Sequence, residues 1–188
     1  MNNKSLIKKV KNLPVPILPT MVGAFTLSNI YSGMGYTWVR HITAWAAIAV
    51  ILSYILKICF HFDTVKKEYS NTVPASLYAG FTMLTMLLGS YFYNASPVFG
   101  KTLWFVGLIL HAIQILVFTY NNVIKNFNMQ TFLPSWFVTY NGIMVSTVVG
   151  GVMNEPLIGK IVVYYGIAVF TVIIPFMIYR LAKHEIKD

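Results

Sequence analysis

Acidic residues are scarce in this chain: Asp63, Glu68, Glu155, Glu185 and Asp188 are all that 188 positions contain. Each reads as a loop or tail residue, so the apolar stretches hold no carboxylate pair, no HExxH zinc helix and no nucleophile–base set. An enzyme is therefore the weakest reading. Cysteine occurs once, at Cys59, which excludes an intrachain disulfide framework and a thiolate metal site. No cofactor or metal is expected. Residues 32–36, SGMGY, are glycine-rich but lack the third glycine and the βαβ setting of a dinucleotide fingerprint. Charge of either sign is also short, at 10% of the chain against about a quarter in soluble domains.

In place of charge the chain has long apolar runs, and 57% of its residues are hydrophobic. No charged residue falls in the 28 positions between Lys11 and Arg40, the 32 between Glu68 and Lys101, or the 23 between Lys101 and Lys125. The same holds for the 29 between Lys125 and Glu155 and the 19 between Lys160 and Arg180. Each run can cross a bilayer, for which about 20 apolar residues suffice. A sixth segment, 41–60, carries only Lys57 near its end, where the long side chain is expected to snorkel to the interface. The expected fold is all-α and polytopic, a single transmembrane domain over 1–188 with six transmembrane helices. The first run does not read as a cleaved secretory signal, because three prolines head it and no small-residue cleavage site follows a short apolar core.

Basic residues exceed acidic ones by nine, and their placement is one-sided. Eleven of the fourteen fall on the side that holds both termini and the loops 60–73 and 121–133: Lys4, Lys8, Lys9, Lys11, Lys57, Lys66, Lys67, Lys125, Arg180, Lys183 and Lys187. Only Arg40, Lys101 and Lys160 fall on the other. This is the positive-inside pattern, and it predicts an integral protein of the cell (plasma) membrane with cytoplasmic N- and C-termini. No basic tract is interleaved with aromatics as nucleic-acid binding requires. Anionic membrane lipid is the expected partner of the basic ends.

The runs repeat. Pro14, Pro74 and Pro134 stand 60 residues apart, each heading an uncharged stretch rich in glycine and hydroxyls. Arg40, Lys101 and Lys160 precede the intervening stretches at spacings of 61 and 59, so two markers share one period. Each unit contains two spans, and successive units therefore enter the membrane in the same orientation, as parallel helical hairpins at about 13–60, 73–120 and 133–180. The first helix of each unit carries the small and hydroxyl residues that line interhelical seams, and the second carries bulky aliphatics. The odd helices are expected inside and the even ones against lipid.

These features resemble the tellurite-resistance/dicarboxylate transporter family, which includes malate permeases, fungal sulfite pumps and the plant slow anion channels. The resemblance rests on Val15-Pro16 at the head of the first helix, VPAS at 73–76, and LPSWF at 133–137 followed by NGIMVSTVVG at 141–150. It implies a ten-helix ring of five hairpins, a central pore lined by the proline-kinked odd helices, and association of three such subunits. It also implies passage of small anions: C4-dicarboxylates such as malate, sulfite or halide-like ions. This chain holds three of the five hairpins and is expected to be the N-terminal part of a longer transporter. The alternative is a truncated, non-transporting chain that acts as an assembly or regulatory partner.

Permeation needs no catalytic group, only a path on which an anion sheds water and meets weak dipoles from hydroxyls, amides and helix ends. By repeat position the pore-lining candidates are Pro16, Gly23 and Phe25, then Pro74, Gly80 and Phe81, then Pro134, Asn141 and Gly142. Glycines and hydroxyls serve plain helix packing equally well, and Phe25 and Phe81 suit either a dewetting gate or an ordinary helix seam. His111 and Gln114, three residues apart on one helix face, form a buried polar pair. Either they bond each other or a neighbouring helix, or His111 carries a proton. Asn141 is suited to an anion or to stapling two helices. Glu155 reads as a solvated charge at an outer turn.

Overall fold

The computed structural model describes residues 8–183, which are helical with no strand among them. Lys4, Lys187, Glu185, Asp188 and the two termini lie outside the described residues. Helix α1 (Ile17–Gly33) and α2 (Thr37–Phe60) form the first hairpin, and the short α3 (Phe62–Tyr69) follows. The second hairpin is α4 (Thr72–Leu77) and α5 (Ala79–Tyr93), nearly continuous, paired with α6 (Pro97–Thr119). The third begins with α7 (Ser135–Tyr140) and α8 (Val145–Val148), separated by a 3-10 turn at Gly142–Met144, and returns along α9 (Pro156–Lys183).

Local chemistry accounts for these boundaries. Pro16 and Pro14 precede α1, and Pro19 falls in its first turn, where a missing N–H costs nothing because the first four are unpaired within any helix. Gly35, at φ +96°, supplies the left-handed residue that turns the chain into α2. Ser96 accepts the Phe99 N–H at 3.5 Å and caps α6, with Pro97 at its first position. Asn154, at φ 54°, makes the tight turn before Pro156 opens α9.

Four helical segments are long and apolar enough to cross a membrane: Thr37–Phe60, Thr72–Tyr93, Pro97–Lys125 and Pro156–Lys183. Helix α1 is shorter, at 17 residues. The segment expected as one continuous fifth helix is instead broken. Asn141-Gly142 and Gly150-Gly151 interrupt a run of β-branched residues, and neither pair of sites favours helix. The expectation of six continuous spans is corrected to that extent.

Burial sets the first segment of the second hairpin apart, whereas α1, with only Leu18, Val22, Phe25 and Ser28 buried among its 17 residues, is as exposed as the second helices. The most apolar window of Thr72–Tyr93 is 67% buried, whereas those of the second helices of the three hairpins are 22%, 28% and 22% buried. Helix α5 is held between α1 and α8, while α4 meets α7. In a bilayer, lipid tails are as apolar as leucine, so close packing and hydrogen bonds replace the hydrophobic effect as the force between helices. Gly89 and Gly107 serve that packing. A Cβ at Gly89 would lie 2.7 Å from the Trp104 amide nitrogen, and one at Gly107 would lie 2.9 Å from that of Met86, so the backbones of α5 and α6 touch.

Lys57 does not snorkel. Its side chain is fully buried, and its Nζ donates to Leu13 O at 2.8 Å and to Glu68 Oε1 at 2.7 Å. Glu68 was expected in a loop; it lies on α3, and Tyr78 donates to its second oxygen at 2.5 Å. Tyr54 donates to Pro14 O at 2.9 Å. The cation is retained inside because a carboxylate and a carbonyl replace its water, which a lysine reaching the interface would not need.

Candidate permeation site

The inner segments are interrupted at two places, and side chains of the neighbouring helices close both. At the step from α4 to α5, Ala75 O accepts from Gln114 Nε2 at 3.3 Å and Ser76 O accepts from Thr139 Oγ1 at 3.1 Å. At the end of α7, Thr139 O accepts from His111 Nε2 at 2.9 Å. A carbonyl only accepts, so this nitrogen carries the proton. His111 Nδ1 lies 2.6 Å from Thr82 Oγ1, which also lies 2.8 Å from Ala79 O. With the ring neutral, Nδ1 is an acceptor, and the single Thr82 proton is shared between Nδ1 and Ala79 O.

His111 and Gln114 are thus both buried and both on one face of α6, but they do not bond each other. Each satisfies a carbonyl of a different broken inner segment. Backbone that departs from helix at membrane depth is tolerated only when it is buried in protein or lines an aqueous cavity, because lipid offers no hydrogen bonds. The polar residues of α6 meet that requirement.

The segment 134–151 carries further polar atoms. Asn141 Nδ2 donates to Gly166 O of α9 at 3.1 Å, while its Oδ1 has no partner. Ser135 Oγ and Ser146 Oγ are likewise buried without one. The Ser146 carbonyl accepts the Trp104 indole N–H at 3.1 Å, and Tyr140 and Thr119 share a hydrogen bond of 2.9 Å. Sequence reasoning placed Thr82 only among the seam-lining hydroxyls and missed Thr139 and Ser146. Their spacing carried no signal, since hydroxyls are spread through every inner helix.

The nine candidates fall in different settings. Pro16 and Pro134 are exposed, and Pro74 is half-buried. Gly23 is exposed, and a Cβ there would meet nothing within 4 Å. Phe25 is buried, with its ring edge-on to Tyr91 at 6.3 Å between centroids. A Cβ at Gly80 would lie 2.8 Å from the Leu18 carbonyl carbon, so this glycine lets α5 lie against α1. Gly142 faces His111 Cε1 and Met83 Sδ, which a Cβ would approach to 2.8 and 2.9 Å. Phe81 lines a cleft of about 270 Å³ with Ile58 of α2 and Leu110, Ile113 and Gln114 of α6, which sets it among outer-helix side chains. Asn141 is half-buried at the break after α7.

Glu155 forms an ion pair with Lys101 at 2.6 Å, joining the outer ends of the second and third hairpins. It is a paired charge, not a freely solvated one. No group of three or more metal-ligating side chains occurs among the described residues.

Apolar helical hairpins, with the breaks in the first segments of the second and third satisfied by neighbouring side chains, define a polytopic integral membrane protein. A family model described as voltage-dependent anion channel matches residues 19–188, and the chain belongs to that family. This agrees with the resemblance carried by the proline-led motifs, and it makes the protein a member of a family of channels and transporters for anions. No curated protein matches the chain.

Proposed function

We propose that the chain contributes three hairpins to a passage for small anions, with the inner segments toward the lumen. The observation that carries this reading is the broken fifth segment. Its buried Ser135, Asn141 and Ser146 side-chain oxygens lack partners within the three hairpins, a polarity that suits contact with further polar groups of a passage and not with lipid. Hydroxyl and amide dipoles without fixed charge bind an anion weakly enough to release it.

Within this reading the lumen borders the exposed face of α1 about Pro16 and Gly23 and the exposed head of the third hairpin at Pro134, with Asn141 at the break. Pro74 stands at the equivalent head of the second hairpin. Phe25, Gly80 and Gly142 hold helices together, and Phe81 packs toward the outer layer. The passage is completed by two further hairpins in a longer transporter, in a cell membrane with both termini cytoplasmic, and three subunits associate. Malate-like C4-dicarboxylates, sulfite and halide-like ions are the expected cargo.

Flux into liposomes, measured across malate, sulfite, nitrate and chloride with the complete protein, tests this. Uptake of at least one anion above that of empty vesicles, reduced by Gly23→Trp, is expected. Flux equal to that of empty vesicles for all four overturns it.

A further inference from the structure

The cytoplasmic-side ends of two spans frame a polar cleft that the permeation reading does not use. It has a volume of about 600 Å³ and lies between α3 and the turn that follows α6. Phe62, Lys66 and Tyr69 form one wall; Asn121, Lys125 and Asn126 form the other. The spans Thr37–Phe60 and Pro97–Lys125 end at its rim, so the cleft stands at the level where hydrocarbon gives way to headgroups.

Its charge is uncompensated. No carboxylate lines it, and the ion pairs among the described residues are Lys57–Glu68 and Lys101–Glu155. Glu68, the nearest acid in sequence to Tyr69, is committed to Lys57 and Tyr78 on the far side of α3. Asp63 is exposed and lies outside the lining. Two lysines and three asparagines, of which Asn122 has its side chain engaged by Thr72 and Phe118, therefore line a space of the size that small ligands occupy.

The cleft is also held in shape. Residues Tyr120–Lys125 form a wide π-helical turn, a feature that often marks functional positions. Within it Asn122 is buried, accepts from the Thr72 hydroxyl at 2.8 Å and donates to Phe118 O at 3.1 Å. The turn is thereby fixed to the start of α4, which sets Lys125 across from Lys66. On the other face of the same turn, Val123 and Phe127 line an apolar cleft of about 620 Å³ with Trp136 and Phe176. Ile124 of the same turn is 72% exposed.

We propose that the Lys66–Lys125 cleft binds a phosphate-bearing anion, and that an anionic lipid is its source, with the headgroup phosphate between the lysines and an acyl chain along the apolar cleft. A compact ammonium is a strong point-charge partner for phosphate, the asparagine amides supply neutral donors, and the adjacent apolar cleft suits a chain that a free ion lacks. The site does not depend on the permeation reading.

Thermal unfolding of the full chain in nonionic detergent tests it, with dioctanoyl phosphatidylglycerol, dioctanoyl phosphatidylcholine and inorganic phosphate as probes. Phosphatidylglycerol is expected to raise the Tm saturably, with an apparent affinity about tenfold weaker in Lys66→Gln or Lys125→Gln and lost in the double variant. A saturable response to inorganic phosphate that the same substitutions remove supports the site and assigns it to a soluble phosphate. An equal response to phosphatidylcholine, a response unchanged in the double variant, or no response to either phosphatidylglycerol or phosphate overturns it. Both lysines are exposed, so the variants should fold. As a check free of mutation, the wild-type response should weaken at about 0.5 M salt, and persistence there counts against the proposal.

Discussion

Lys57 and Glu68, on different helices and eleven residues apart, meet at 2.7 Å with the lysine side chain fully out of solvent. The pair joins the end of α2 to α3, and through Leu13 O and Tyr78 it also reaches the chain ahead of α1 and the start of α5. Removing Lys57 leaves the partly buried Glu68 carboxylate with only the Tyr78 hydroxyl to offset it. Lys57→Met should destabilise the protein by about 3 kcal/mol, and the double variant Lys57→Met/Glu68→Gln should recover much of that loss. Unfolding midpoints of the four proteins in detergent give the coupling directly; additive losses would show that the two side chains act separately.

His111 has both ring nitrogens engaged, by Thr82 and by Thr139 O, and no exposed surface. That makes it a tie between α5, α6 and the end of α7. His111→Gln should lower stability by about 1–3 kcal/mol through the orphaned Thr139 carbonyl, while any pH dependence of anion flux stays that of the wild type. Loss of the pH dependence in this variant would assign the proton to His111 after all.

Gly80 and Gly23 make a matched pair of glycine substitutions. Gly80→Ala drives a methyl into the Leu18–Pro19 backbone and should cost about 1–3 kcal/mol, since main chain cannot step aside as a side-chain tip can. Gly23→Ala meets open space in mid-helix and should stabilise by up to about 1 kcal/mol. Melting curves for the two variants should move in opposite directions; a shared sign would mean that α1 does not pack on α5 through Gly80 with Gly23 turned to open space.

Lys101 and Glu155 stand 2.6 Å apart but remain partly exposed. Solvent screening holds such a pair to below about 1 kcal/mol. A double-mutant cycle with Lys101→Gln and Glu155→Gln should therefore give a small coupling that shrinks further in high salt. A coupling of several kcal/mol would mean that the outer turn is closed to water.

Membrane class and the hairpin period were legible in the sequence, because each depends only on where charge and bulk are placed along it. A bilayer reads uncharged length directly, and a period of 60 residues marked by proline and by a basic residue needs no knowledge of contacts. The partners of the buried polar groups were not legible. Lys57 looks like a snorkelling residue until α3 is folded back to bring Glu68 beside it, and His111 and Gln114 look like partners until the breaks in α4–α5 and α7 offer them carbonyls. The continuity of the fifth segment was likewise decided by the tertiary structure: β-branched and glycine residues leave its helix weak, and only neighbours able to take up the freed backbone groups let it break inside a membrane.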